Sequence, residues 1–303
     1  MTERTLAQAV AEAARTLAAA GVPSPRVDAE LLAEHLLGVG LGRLRALLLA
    51  DAPEPEGYAD LVAERARRIP LQHITGTAHF RYLDLAVGPG VFVPRPETES
   101  VVQLAIDRLV PPRTAAAPVV VDLGTGSGAI AGSIAHEVPR ARVYAVELSP
   151  LAHAWAERNL KPLGVTLVRG DLRAAFEELD GRCDVVVSNP PYIPAAAVPN
   201  EPEVAEHDPQ IALYGGGADG MELPTAAAAS AARLLKPGGY FVMEHAEVQA
   251  PAIAALLAAS GLWTEITTHR DLNGRDRATA ALRSTDTAAL RSMDTAENER
   301  MGK

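Results

Sequence analysis

Apolar side chains in the first part of the chain recur at helical spacing. Leu6, Val10 and Leu17 lie on one face of a helix with a period of about 3.6 residues, and Gly21 ends the run. Ser24 and Pro25 then offer a cap and a first-turn proline for a second helix. Two shorter helical patterns follow around residues 44–49 and 58–68. Residues 1–70 are therefore predicted to form a small helical domain.

The helical spacing is lost between Leu71 and Pro96. Residues 78–87 and 91–93 are predicted as two strands, and the turn-forming residues Gly88-Pro89-Gly90 separate them. This pattern predicts a β-hairpin linker over residues 71–96, with its turn at the glycines. Helical spacing resumes at Glu97.

From Pro118 onward, short apolar runs alternate with segments of helix length. The runs predicted as strands are Val119–Asp122, Arg142–Glu147, Val165–Arg169, Asp184–Ser188 and Tyr240–Glu244. Such alternation is typical of a mostly parallel, Rossmann-like sheet covered by helices. Two later runs, Trp263–Thr268 and Arg277–Leu282, have no helix-length spacer and are predicted to pair antiparallel. Residues 97–283 are thus predicted to form one α/β domain.

The end of the chain repeats an eight-residue unit, once over Leu282–Ala289 and once over Leu290–Glu297. Two copies cannot build a repeat architecture, so residues 284–303 are predicted to be a disordered tail. The total length of 303 residues agrees with two domains of ordinary size.

Charge and cysteine content exclude several classes of protein. The formal net charge is −10, which disfavours a protein that coats nucleic acid phosphates. The single cysteine, Cys183, excludes a disulfide framework and a cysteine-rich zinc site, and its apolar neighbours predict a buried thiol. No metal site is expected. No apolar stretch reaches the ~18 residues of a membrane span, and the first residues do not resemble a signal peptide, so a cytoplasmic protein is predicted.

A glycine-rich loop follows the first strand of the predicted sheet. Its residues Gly124, Thr125, Gly126, Ser127 and Gly128 allow a tight turn that a ligand can approach closely. Glu147 closes the next strand, where a carboxylate can accept both hydroxyls of a ribose. Loop and carboxylate together predict a site for an adenosine-containing cofactor, with a purely structural glycine turn as the alternative.

The spacing of the glycines narrows the choice of cofactor. The loop reads GxGxG, whereas a dinucleotide site requires GxGxxG and a helix N-terminus facing pyrophosphate. No Walker lysine follows, which disfavours nucleoside triphosphate hydrolysis. A cofactor without phosphate, S-adenosyl-L-methionine, fits better.

The tetrapeptide Asn189-Pro190-Pro191-Tyr192 follows the fourth strand of the predicted sheet. Open α/β sheets bind ligands at this carboxyl edge. The prolines stiffen the segment and remove two N–H donors, while Asn189 adds a side-chain carbonyl and Tyr192 an aromatic face. A planar –NH₂ group could donate to the Asn189 side-chain oxygen and to the Pro190 carbonyl. The alternative is an ordinary loop turn.

Taken together, these motifs resemble the N5-glutamine methyltransferases that modify peptide-chain release factors, the PrmC/HemK family. The resemblance covers nearly the whole chain and is carried by residues 20–30, 70–76, 93–99, 122–128, 189–192, 235–239 and 274–277. It implies that the N-terminal helices form a substrate-recognition domain. It also implies methyl transfer from S-adenosyl-L-methionine to the GGQ-motif glutamine of class-1 release factors, with no direct binding of nucleic acid.

The resemblance also implies roles for single residues. Asn189, Pro190 and Tyr192 are the expected catalytic residues, and together with Pro191 they would bind the substrate. Asp171 would accept a hydrogen bond from the adenine amino group, and Asn189 is also expected among the cofactor contacts. Leu172 stands where many members have a tryptophan beside the adenine, so a weaker stacking surface is expected there.

Three other functions compete with this interpretation. An N6-adenine nucleic acid methyltransferase shares the tetrapeptide but would need a basic channel for its substrate. The first 80 residues hold 8 cations and 10 acids, which disfavours it. The intact tetrapeptide argues against a non-catalytic cofactor-binding protein, and the glycine spacing argues against a nicotinamide dehydrogenase.

Overall fold

The computed structural model describes residues 4–110 and 116–285, and within them the chain forms two compact units. The helical unit comprises the residues up to Thr77 together with Val87–Pro89 and Val198–Asp208. The α/β unit comprises Ala78–Ala86, Gly90–Ala197 and the residues from Pro209 onward. Most of the predicted tail, residues 286–303, lies outside the described residues.

The helical unit is built from amphipathic helices around one apolar core. Thr5 forms a capping box with Gln8 at the first helix, whereas Ser24 makes no side-chain cap and Pro25 alone begins the second. Large buried side chains such as Leu17, Leu32 and Tyr58 fill the core. The helices are α1 (Leu6–Ala19), α2 (Pro25–Leu37), α3 (Leu41–Leu49), α4 (Tyr58–Ala66) and α5 (Leu71–Thr75).

A segment from much later in the chain also belongs to the helical unit. Its helix is held by ion pairs from Glu203 to Arg65, at 2.8 Å, and to Arg68, and Arg65 also pairs with Asp28 at 2.7 Å. Burial by itself would raise the pKa of Glu203, but the hydrogen bonds from Arg68 and Arg65 outweigh it and lower the pKa to about 2. This segment lies within residues 97–283, which the sequence predicts as one α/β domain. The helix is the ninth in chain order, α9 (Pro202–His207).

The predicted hairpin is present, but its predicted turn is wrong. Strands β1 (Thr77–Phe80) and β2 (Leu83–Ala86) form a two-stranded sheet, so the turn lies at Arg81 and Tyr82. Arg81 has a φ of 52°, and its side chain pairs with Glu137 at 2.6 Å while its N–H donates to Glu99. These distant partners stabilise a turn that the local sequence does not announce. Residues 91–93 are not a strand.

The α/β unit contains a seven-stranded sheet with the order β5-β4-β3-β6-β7-β9-β8. Pairing is parallel from β5 to β7 and antiparallel at β7–β9 and β8–β9. The predicted mostly parallel sheet and the predicted antiparallel pair are both confirmed. The strands are β3 (Val119–Leu123), β4 (Arg142–Glu147), β5 (Thr166–Arg169), β6 (Cys183–Ser188), β7 (Leu235–Glu244), β8 (Trp263–Arg270) and β9 (Asp276–Arg283).

Helices connect the strands and close the core of the α/β unit. They are α6 (Thr98–Leu109), α7 (Ala129–Glu137), α8 (Pro150–Leu160), α10 (Glu222–Leu234) and α11 (Ala250–Ala259). The core includes Leu123, Val186 and Met243 and reaches the stacked rings of Phe241 and Trp263. Cys183 is buried as predicted, and burial raises the pKa of its thiol to about 12. None of the helices in residues 4–110 and 116–285 has the length and apolar character needed to cross a membrane.

Candidate active site at the carboxyl edge of the sheet

The strand order brings the predicted site segments to one edge of the sheet. Leu123, the last residue of β3, pairs with Val146 of β4 on one side and Ser188 of β6 on the other. Ser188 in turn pairs with Met243 of β7. Four predicted or neighbouring features therefore lie at or directly after the carboxyl ends of adjacent strands, where open α/β sheets bind ligands. They are the glycine loop after β3, Glu147 at the end of β4, the Asn189 tetrapeptide after β6 and Glu244 at the end of β7.

The glycine loop is closed by its own residues. The buried Asp122 carboxylate accepts hydrogen bonds from Thr125 Oγ1 at 2.6 Å and from the Ala131 N–H at 3.1 Å. Gly128 has a φ of 89°, and a Cβ there would lie 2.7 Å from Leu160 Cγ. Glycine at this position therefore permits both the turn and the close packing of α8.

The Glu147 carboxylate at the end of β4 is hydrogen-bonded to the glycine loop. Its Oε2 accepts from the Gly126 N–H at 2.9 Å and its Oε1 from the Ser149 N–H at 2.8 Å. Burial raises the pKa of the Glu147 carboxyl above its usual range. The Leu148 N–H also hydrogen-bonds with this carboxylate, so three backbone donors occupy part of its about four acceptor positions. A Cβ built on Gly126 would meet no atom within 4 Å. Contact of this carboxylate with the ribose of S-adenosyl-L-methionine stays a prediction.

The two other predicted cofactor contacts lie after β5. Asp171 accepts from the Arg173 backbone N–H and guanidinium, both at 2.9 Å, and its side chain is partly exposed. Leu172 is buried in the apolar core together with Phe176 and Leu179. Their contact with adenine stays a prediction.

The backbone of the tetrapeptide is held by residues far away in sequence. The Gln249 side-chain amide donates to the Tyr192 carbonyl at 2.9 Å. Gly220 packs so closely behind the segment that a Cβ there would lie 2.2 Å from the same carbonyl oxygen. Past the tetrapeptide, the Ile193 N–H donates to the Leu213 carbonyl at 2.8 Å. This bracing predicts a rigid segment.

The side chains of the tetrapeptide have partners that sequence reasoning had not assigned. Asn189 Nδ2 donates to Thr98 Oγ1 at 3.4 Å, and the Glu244 carboxyl also hydrogen-bonds with Asn189. Arg277 hydrogen-bonds with the Tyr192 hydroxyl, whose pKa burial raises to about 12. Thr98 and Arg277 lie in segments that carry the family resemblance, but the sequence assigns no role to either residue.

The described residues include no group of three or more His, Cys, Asp or Glu side chains that could hold a metal ion.

Comparisons with known proteins found two matching family models and several similar enzymes. Residues 8–76 match the family described as PrmC N-terminal domain, and residues 83–201 match the family described as Methyltransferase small domain. A release factor glutamine methyltransferase of Streptomyces coelicolor is 51% identical over 90% of this chain and 96% of its own length. The enzyme of the same description from Mycolicibacterium smegmatis is 48% identical over 92% of this chain and 98% of its own length.

A relative with a different substrate shares nearly the same extent of sequence. The 4-amino-L-phenylalanine/4-methylamino-L-phenylalanine methyltransferase of Streptomyces pristinaespiralis is 42% identical over 89% of this chain and 92% of its own length. A sequence identity of 42% therefore does not by itself fix the acceptor. The two more similar relatives, at 51% and 48% identity, are both described as release factor glutamine methyltransferases. The chain belongs to the release factor glutamine methyltransferase family.

Proposed function

We propose that the protein transfers a methyl group from S-adenosyl-L-methionine to the side-chain amide nitrogen of the GGQ-motif glutamine in class-1 release factors. The observation that carries this is the acceptor-lined tetrapeptide Asn189–Tyr192 beside the glycine loop, in a chain with both domains of the family. The edge offers acceptors to a planar –NH₂ group. A glutamine amide presents two N–H donors in that arrangement.

Binding of the cofactor is assigned to the glycine loop and Glu147. Gly124–Gly128 would lie against the ligand, and Glu147 would accept from the ribose hydroxyls with its remaining acceptor sites. Asp171 would meet the adenine amino group and Leu172 its ring. Bound S-adenosyl-L-methionine supplies an activated methyl group on a positively charged sulfur.

Orientation of the acceptor is assigned to the tetrapeptide. Asn189 Oδ1 and the Pro190 carbonyl would each accept one amide N–H, which aims the nitrogen at the methyl group, while Tyr192 packs over the amide plane beside Pro191. Such positioning can supply up to ~7–11 kcal/mol of barrier reduction. In the transfer a nitrogen–carbon bond forms, the carbon–sulfur bond breaks, and one amide proton leaves to solvent.

The acceptors also favour positive charge on the nitrogen. Two carbonyl oxygens aimed at the N–H groups stabilise the charge that develops there during transfer. No side chain placed here is needed as a strong base, because an N-methylated, N-protonated amide is acidic enough to lose its proton to water.

Acidic charge favours a protein acceptor over a nucleic acid. The net charge of −10 and the absence of excess cations in the first 80 residues provide no surplus of positive charge for binding phosphates. It stays a prediction that the protein does not bind nucleic acid directly and that it is cytoplasmic. The N6-adenine reaction remains the alternative that the experiment has to exclude.

The test is an acceptor comparison with methyl-labelled S-adenosyl-L-methionine. The purified protein is incubated separately with a class-1 release factor, with the same factor carrying alanine in place of the acceptor glutamine, with double-stranded DNA and with 4-amino-L-phenylalanine. Label on the glutamine N5, located by mass spectrometry and absent from the alanine form, supports the proposal. Label only in adenine or only in the aromatic amine overturns it.

A further inference from the structure

The Asn189 side chain can lie in two orientations of almost identical shape. A half-turn of its amide exchanges Oδ1 for Nδ2, which converts an acceptor into a donor. Only the orientation that turns Oδ1 toward the substrate can accept a hydrogen bond from the substrate –NH₂ group. Some feature of the chain must therefore select it.

Two buried residues face this amide. Thr98 begins α6 and is 4% exposed, and Glu244 ends β7 and is 2% exposed. Asn189 Nδ2 lies 3.4 Å from Thr98 Oγ1, and the Glu244 carboxyl hydrogen-bonds with both Thr98 and Asn189. Strand pairing accounts for the closeness of Glu244 to Asn189. Ser188 of β6 pairs with Met243 of β7, and the residues that follow them are Asn189 and Glu244.

The hydrogen-bond chemistry of these groups has a direction. An ionised carboxylate only accepts, so the single proton of the Thr98 hydroxyl is donated to Glu244. The Thr98 oxygen is then left to accept from Asn189. Both neighbours thus require Nδ2 on their side of the amide, and Oδ1 must face the other way.

We propose that Glu244, acting directly and through Thr98, is a positioning residue that selects the orientation of the Asn189 amide in which Oδ1 accepts from the substrate nitrogen. The assignment rests on the proposed role of Asn189 in binding the acceptor –NH₂ group.

The protonation of Glu244 decides whether the selection works. The charged or titratable groups that act on it are Arg277 on β9, Glu97 just before α6, and Tyr192 in the tetrapeptide. Burial raises the pKa of Glu244 to about 7, and hydrogen bonds and Arg277 only partly offset it. Its Oε2 has no hydrogen-bond partner among the described residues. A protonated carboxyl can donate and is a weaker acceptor than a carboxylate, so as the pH falls through about 7 the selection weakens and turnover falls.

The first test is Glu244→Gln, which keeps the shape but can both donate and accept. At pH 8 we expect kcat/KM to fall at least tenfold while the Kd of S-adenosyl-L-methionine, measured by calorimetry, stays within twofold. The rise of wild-type kcat/KM through pH 7 should disappear in the variant. Glu137→Gln, which alters a carboxylate paired with Arg81 in the same unit, should change neither quantity.

A second pair of variants guards against misfolding. Thr98→Val should reproduce the loss, and Thr98→Ser, which restores the hydroxyl, should recover most of the activity. Thr279→Val is the matched control, since this buried hydroxyl bonds with His245 rather than with the tetrapeptide. Glu244→Gln with more than half of wild-type turnover, or with an unchanged pH profile, would overturn the proposal.

A readout without substrate separates this inference from the proposed function. The NMR signals of the Asn189 side-chain amide are assigned by their loss in Asn189→Ala. They should shift between pH 6 and pH 8 in the wild type and stay constant in Glu244→Gln. All kinetic arms use whichever acceptor the wild type methylates. Failure on release factors would then reject the proposed substrate alone, whereas pH-independent Asn189 signals in the wild type would reject the positioning role.

Discussion

The glycine loop and the tetrapeptide lie at the same edge of the sheet but are held in opposite ways. In the loop, Asp122 bonds with Thr125 and Ala131, which are three and nine residues away. Even Glu147 reaches Gly126 across only 21 positions. This half of the site is assembled from one stretch of chain and one neighbouring strand.

The tetrapeptide depends on the rest of the α/β unit. Asn189 bonds with Thr98 from 91 positions away, and the Tyr192 carbonyl with Gln249 from 57 positions away. The tetrapeptide is held in this way only when helix α6, strand β7 and the residue before α11, Gln249, are all in place. Substitutions in one half should therefore impair cofactor binding, and substitutions in the other half should impair transfer.

The largest effect is expected for Asn189→Ala. Losing one preorganised acceptor should lower turnover by about 10²–10³-fold. The Kd of S-adenosyl-L-methionine in calorimetry should stay within about threefold of wild type, because a change of that size is less than the free energy that one hydrogen bond contributes. A turnover close to normal would remove Asn189 from the reaction. An equally large loss of cofactor binding would show that the two halves are not separate.

Glu147→Ala should have the converse effect. It removes the acceptors proposed for the ribose hydroxyls, and hydrogen bonds to charged groups contribute about 1.5–3 kcal/mol. The Kd of S-adenosyl-L-methionine should therefore rise by more than about tenfold, while turnover at saturating cofactor changes much less. An unchanged Kd in calorimetry would exclude Glu147 from the cofactor site.

Gly220→Ala tests the bracing of the tetrapeptide from behind. The new Cβ would lie 2.2 Å from the Tyr192 carbonyl oxygen, so the segment must move. A displacement of this kind should lower turnover by about tenfold or more and leave cofactor binding intact. The control is Gly261→Ala, which has a similar φ of +68° but no atom within 4 Å of the added Cβ. Equal losses in both variants would attribute the effect to backbone strain alone.

Asp122→Asn should give the smallest effect, visible in the pH dependence of stability. Burial raises the pKa of Asp122 to about 7, so the folded state binds a proton that the unfolded state releases near pH 4. The stability from this proton is complete below pH 4 and is lost as pH rises to about 7. The free energy of unfolding of the variant relative to wild type should thus increase from pH 5 to pH 8 in urea titrations. A constant difference would contradict the raised pKa.

Local patterns in the sequence were sufficient for most of the fold. All seven strands of the large sheet follow from apolar periodicity, which the chain must satisfy to bury its core. The hairpin turn was misplaced because Gly88-Pro89-Gly90 is the stronger local signal. Arg81 is held in its turn by Glu99 and Glu137, which no local pattern connects with it.

The same division applies to the site. The sequence by itself determined the glycine loop, the Glu147 carboxylate at the end of the next strand and the stiff tetrapeptide. Each of these is encoded by adjacent residues at the end of a strand. Only the tertiary structure decided that Thr98, Glu244, Gln249 and Arg277 surround that segment. Their placement depends on strand order and register, which bring distant residues within hydrogen-bonding distance and bury the carboxyl of Glu244 beside Asn189.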